Sequence, residues 1–353
     1  MLRLEARAEP SAAMRYASPV IAVAFTLIGG LLIFAALGKN PLEGFQVYFL
    51  SPLKDAYGVS ELLLKATPLM LISGGLAIGF RANVWNIGAE GQFIMGAVAA
   101  SGIVVYFFGV ESAWLLPSMV VAGALGGALW AAIPALLRTR FNANEILVSL
   151  MLVYIAQLVV SWLVHGPWKD PEGFNFPQTQ MFHDAALLPM LVEGTRLNMA
   201  FVLALGALLA CYVFMSKSFL GFQMAVAGEA EAASRYAGFS TQRMIWIGML
   251  SGGGMAGIAG MGEVAGPMGQ LTEHVSNNYG FAAIIVAFVG RLNAIGIFFA
   301  SLLMALLYLG GEQAQQYLSL PSSISKVFQG MLLFFLLGTD LFVNYRLRFS
   351  KVN

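Results

Sequence analysis

Charge is scarce in this chain. Asp, Glu, Lys and Arg make up 10% of its 353 residues, where a soluble domain carries about 25%. Hydrophobic residues make up 59% and the mean hydropathy is +0.77, so a water-facing globule is excluded and lipid has to cover much of the surface. Cysteine occurs once, at Cys211, which excludes an intrachain disulfide. The three histidines, His165, His183 and His274, are scattered without metal-ligand spacing, so no metal site is expected. A net charge of +1 argues against a nucleic-acid partner. No phosphate-cradling Gly-x-x-x-x-Gly-Lys-Ser/Thr loop, His-Glu-x-x-His or Gly-x-Ser-x-Gly is present. Nothing points to catalysis, and no cofactor is expected on the chain. Any active work has to draw on an ion gradient or a separate ATPase.

What is present is a series of long apolar runs. A helix needs roughly 20 apolar residues to cross a bilayer. Ten runs qualify as candidates: 18–37, 61–80, 87–108, 112–137, 145–164, 197–216, 243–264, 279–290, 294–313 and 321–338. The reading is an all-α membrane protein of about ten transmembrane helices, some broken or re-entrant. The eighth run is too short to cross alone, and Asn277, Asn278 and Gly280 mark it as broken or tilted. No convincing small-residue cleavage site follows the first run, so it is expected to stay as an uncleaved span. With the N-terminus inside and ten crossings, thirteen of the nineteen basic residues lie on the cytoplasmic side. That is the bias that orients membrane proteins. Both termini of this multi-pass membrane protein are therefore expected in the cytoplasm. A cytoplasmic segment 1–17, a transmembrane domain 18–338 and a cytoplasmic tail 339–353 follow.

Residues 80–93 read Phe-Arg-Ala-Asn-Val-Trp-Asn-Ile-Gly-Ala-Glu-Gly-Gln-Phe between two apolar runs. Polar groups at lipid depth cost several kcal/mol unless they face protein or a water-filled cavity. Asn83, Trp85, Asn86, Glu90 and Gln92 are thus candidates to line a path, with Asn277, Asn278 and Asn293 next. The rival reading is that these groups satisfy one another and the broken helix ends. Arg81 is a candidate partner for Glu90. Glu145, Glu263 and Glu312 lie near span ends and are expected to meet water.

Small residues recur every fourth position at Gly123 and Gly127, and at Gly248, Gly252, Ala256 and Gly260, which fits close helix packing in lipid. Ser73-Gly74-Gly75 and Ser251-Gly252-Gly253 echo each other in spans of opposite direction, a weak sign of a five-plus-five inverted repeat. The longest outside loop, 165–196, mixes prolines with Trp168, Phe174, Phe176 and Phe182. It is either a docking surface or a connection whose aromatics rest at the membrane interface. On the inside, Ala and Glu predict a short helix from Glu229 to Ala237, stopped by Gly238. By spacing alone it is a connector or a partner's handle.

The chain resembles the integral-membrane permeases of ABC importers in the branched-chain amino acid, ribose and nucleoside group, most nearly the nucleoside-type permeases of bacteria. Asn-Ile-Gly-Ala-Glu-Gly-Gln at 86–92 and Tyr279-Gly280-Phe281 leading to Val289-Gly290-Arg291-Leu292-Asn293 carry the likeness. Asn144-Glu145-Ile146 and the Gly228–Gly238 loop support it. The resemblance implies a pore subunit that moves nucleosides or related small polar solutes by alternating access. It implies a second permease, identical or homologous, an extracytoplasmic substrate-binding protein, and a cytoplasmic ABC ATPase that holds the ATP and Mg. Glu229, Glu231, Ala233, Arg235, Tyr236 and Gly238 would then form the ATPase-coupling helix. Relatives often carry Asn-Pro where this chain has Ala230-Glu231, so the expectation here is either an earlier helix start or a dock of different charge. The amides of the 83–92 stretch could bond ribose hydroxyls and a base edge, and Trp85 could stack on a base. The alternatives are an ion-gradient carrier that uses Glu90 for protons, or an ABC permease for a simple sugar such as ribose.

Overall fold

In the computed structural model, residues 2–7, 9 and 11–349 are described. The elements follow as β1 (Leu2–Ala6), α1 (Ala12–Ala36), α2 (Pro41–Phe45), α3 (Ala56–Arg81), α4 (Ala89–Tyr106), α5 (Leu115–Phe141), α6 (Glu145–His165), α7 (Ala200–Lys217), α8 (Phe219–Glu229), α9 (Glu231–Tyr236), α10 (Thr241–Glu263), α11 (Tyr279–Val289), α12 (Ala294–Leu318), α13 (Ser323–Asn344) and β2 (Tyr345–Phe349). Among the described residues, nine helices are long and apolar enough to span a membrane, and α11 is a shorter apolar helix. The all-α membrane architecture read from the sequence holds.

Local chemistry sets the helix ends. Ser11, Asn144, Ser218 and Ser240 cap α1, α6, α8 and α10 with side-chain oxygens that accept backbone N–H groups. Asn142 ends α5 in the left-handed conformation. Pro19, Pro68 and Pro134 sit inside helices, as spanning helices tolerate. Several boundaries differ from the sequence reading, most of all at the two outermost helices. The first helix begins at Ala12 and the last runs on to Asn344. The additional turns carry Arg15, Asp340 and Asn344, so they continue as helix beyond the apolar stretch that hydropathy detects.

The chain divides into two compact units, Met1–Val59 with Leu303–Asn353, and Ser60–Leu302. In the first, α1 lies along α13. Ser18 shares a 2.9 Å hydroxyl contact with Thr339 and donates to Asp340. Phe34, Tyr48, Phe49 and Phe328 form an aromatic cluster, with Tyr48 stacked on Phe328 at 4.5 Å. The Tyr48 hydroxyl donates to the Leu307 carbonyl at 2.7 Å. Near the termini β1 and β2 form an antiparallel ribbon in register Leu2↔Phe349 to Ala6↔Tyr345, and Arg346 meets Glu5 at 3.1 Å.

In the second unit α10 is the central helix, packed against α3, α4 and α5. Gly75 meets Ser251 and Gly252, and Gly79 meets Gly248, so α3 and α10 run antiparallel with the two Ser-Gly-Gly motifs in contact. Gly260 of the expected ladder faces Phe93 of α4. A second row, Gly253 and Gly257, takes up Gly123 and Gly127 of α5. A Cβ on Gly257 would run into the Gly123 carbonyl, so only glycine permits this approach.

Candidate functional site

Each of the helices α3 and α10 is followed by an irregular stretch and then by a new helix. After α3 the chain continues through residues 82–88, and α4 starts at Ala89. Asn86 reaches Gly252, about midway along α10, so α4 begins inside the helix layer. On its other flank Gly88 touches Ser149 and Gly91 touches Val153 of α6. After α10 the chain kinks at Gly266 and passes through an irregular run, and α11 starts at Tyr279. The helix α11 lies antiparallel beside residues 80–93. Tyr279 meets Phe93 at 6.0 Å, and Phe288 stacks on Phe80 and Trp85 at 5.3 and 5.8 Å.

The starts of α4 and α11 therefore meet head to head. Glu90 is 2% exposed, and its Oε2 accepts the Gly280 N–H at 2.7 Å. This reaches one of the four N–H groups that every helix start leaves without an intrahelical partner. Asn278, at the N-cap position of α11 with φ 63°, makes no side-chain capping bond. Glu90 is the acceptor in its place.

The other sequence candidates divide by exposure. Asn86 and Gln92 are each 1% exposed and bond each other twice, at 2.8 and 2.9 Å, while Asn86 Oδ1 also accepts the Gly88 N–H at 3.1 Å. Asn83 is exposed and accepts from the Trp85 indole at 2.7 Å. Asn277 and Asn278 are exposed. Asn293 is exposed and accepts the Ile295 N–H at 3.0 Å at the start of α12. Two expectations are corrected. Arg81 is not the partner of Glu90: its guanidinium points at the Met215 carbonyl, 3.5 Å away, because α3 ends beside α7 and α8. Glu145 does not simply meet water: it pairs with Arg138 and lies 3.5 Å from the Trp85 N–H. Sequence reading missed Phe80 and Phe288, which complete the stack on Trp85. No spacing signal joins residues about two hundred positions apart.

Outside the helix layer, the loop after α6 straps the stretch after α10. Thr179 and Leu271 exchange two hydrogen bonds at 3.0 Å, and Phe182 and Leu188 donate to Gly269 and Ala265. Glu61 holds the Arg196 guanidinium with both oxygens, at 2.9 and 2.5 Å. The loop aromatics divide: Phe174 and Phe176 stand out, whereas Trp168 and Phe182 line a cleft of about 200 Å³ with Phe108. At the other end, the expected helix 229–237 is corrected. Glu229 closes α8, Ala230 (φ −150°, ψ 84°) breaks the chain, and α9 spans Glu231–Tyr236. The start is later than expected because the extended backbone at Ala230 interrupts the helix. Arg235 pairs with Glu231 at 2.5 Å, Gly238 turns the chain at φ 80°, and Tyr236 is 97% exposed. Within α9 only Ser234 is buried. Among the described residues no group of three His, Cys, Asp or Glu is arranged to hold a metal ion.

Residues 58–337 match the family described as branched-chain amino acid transport system / permease component. The glucose ABC transporter permease protein TsgB13 of Haloferax volcanii is 34% identical over 98% of this chain and 93% of its own. The nucleoside ABC transporter permease protein NupB of Lactococcus lactis is 28% identical over 90% and 89%. The guanosine ABC transporter permease protein NupP of Bacillus subtilis is 28% identical over 94% of each. No solved structure matches. With nine helices among the described residues long and apolar enough to span a membrane, two broken-helix junctions and this match over most of its length, the chain belongs to the branched-chain amino acid transport system / permease component family, as a multi-pass, non-catalytic pore subunit of an ABC transporter.

Proposed function

We propose that the chain imports nucleosides or related small polar solutes across the bacterial inner membrane, with both termini in the cytoplasm. Its partners are a cytoplasmic ABC ATPase carrying ATP and Mg, a second permease that is identical or homologous, and an extracytoplasmic substrate-binding protein. The names of the relatives support this substrate range, since two act on nucleosides or guanosine. The glucose permease relative keeps a sugar as the second reading. Asn83, Asn277 and Asn278 are exposed and Trp85 is half-buried, and these four are proposed to meet solute. Asn86, Glu90 and Gln92 shape the path from behind, and Asn293 sets the entry to α12.

The observation that carries the coupling proposal is α9, a short helix exposed along nearly its whole length. Glu229, Glu231, Ala233, Arg235, Tyr236 and Gly238 form or border this surface, and we assign it to the ATPase. Closure of the ATPase pair on ATP moves α9, and through it α8 and α10, so that the pore turns from one side of the membrane to the other. The test is the double charge reversal Glu231→Arg with Arg235→Glu, in vesicles holding the permease, its ATPase and its binding protein. The exposed pair contributes under ~1 kcal/mol, so the fold stays intact. ATP hydrolysis should continue while uptake is lost. Unimpaired uptake defeats the coupling assignment. Uptake by the permease alone, driven by a proton gradient, points to a secondary carrier.

A further inference from the structure

We infer that Glu90 is a positioning residue that locks the start of α11 to the start of α4, and so makes the two broken helices move as one piece. The inference rests on the permease reading. Its grounds are geometric. The carboxyl sits on the first turn of α4 and reaches the first turn of α11, 190 positions along the chain. It is 2% exposed, so water does not compete for the Gly280 N–H. The approach is close enough that a Cβ on Gly280 would lie 2.5 Å from the Glu90 Cα. The first turn of α4 is itself held by α6 through Gly88 and Gly91. Glu90 thus ties α11 to a fixed support. The α11 helix leads within four residues into α12, so the lock also sets where that span begins.

A cap and a proton carrier make opposite demands on residue 90. A cap needs an acceptor oxygen, which glutamine retains; a carrier needs a group that titrates, which glutamine lacks. The permease is prepared with its ATPase and binding protein in vesicles, and uptake of radiolabelled guanosine and glucose is measured with ATP. Spin labels at Tyr106 and Ile295, both exposed, in a Cys211→Ala background, report the distance from the far end of α4 to the start of α12, which α11 leads into. Glu90→Ala should widen that distance distribution and lower uptake at least about tenfold, while Glu90→Gln should keep the wild-type distribution and uptake within about threefold. An unchanged distribution in Glu90→Ala, or equal loss of uptake in both variants with an unchanged distribution, overturns the lock. Should Glu90→Ala not be recovered folded, Gly280→Ala wedges the same junction apart, and wild-type behaviour of that variant overturns it equally. Failure of the wild-type complex to take up either solute with ATP bears on the proposed function, whereas the distance measurement reads the lock without transport.

Discussion

At the scale of single residues, the buried polar groups of 86–92 serve as structure. Asn86 and Gln92 pair through both amide groups, which leaves each satisfied at 1% exposure. Replacing one leaves the other with unmet donors and acceptors, a loss of about 1–3 kcal/mol. Replacing both removes that penalty. Asn86→Ala and Gln92→Ala should each lower the thermal midpoint of the detergent-solubilised permease, and the double variant should lose less than the two single losses combined. Strict additivity would mean that the amides act separately. The sequence showed that these residues needed partners, because lipid offers none. It could not choose among a solute, a neighbour and a helix end, since Gly280 and Glu90 are brought together only by the antiparallel placement of α11 along residues 80–93.

At the scale of elements, the apolar runs located the helices well, since length and hydropathy are local properties. Ends were less legible where polar turns extend a helix, as at Asn344, or where a single backbone angle breaks one, as at Ala230. The four-residue glycine spacing marked one packing row of α10, facing α3 and α4. The second row, Gly253 and Gly257, emerged only with α5 in place. Gly257→Leu should abolish assembly of this helix cluster, since even one methyl meets the Gly123 carbonyl and overpacking of this kind costs about 1–3 kcal/mol or more. Gly206 has open space around its Cβ position, and Gly206→Leu should be tolerated. Expression and monodispersity of the two variants check the contrast, and equal behaviour would remove the packing argument.

At the scale of the whole molecule, the β1–β2 ribbon places Leu2–Ala6 beside Tyr345–Phe349. Adjacent ends on one side of a membrane require an even number of crossings. Among the described residues nine helices are long and apolar enough to span, so if both ends share a side, the run after α10 together with α11 is expected to supply a tenth crossing. Reporters fused to the two ends should therefore register the same compartment. Opposite compartments would show that α11 does not complete a crossing.

Composition alone determined that the chain lives in lipid, because scarce charge and long apolar runs leave no other solvent for it. The positions that interrupt those runs were visible as well, since polar residues stand out against a hydrocarbon background. Which of them face each other, which cap a helix and which reach open surface was decided only by the tertiary structure. Those contacts join residues as distant as Glu90 and Gly280, and they depend on how α4, α10 and α11 pack, which no local pattern in the chain encodes.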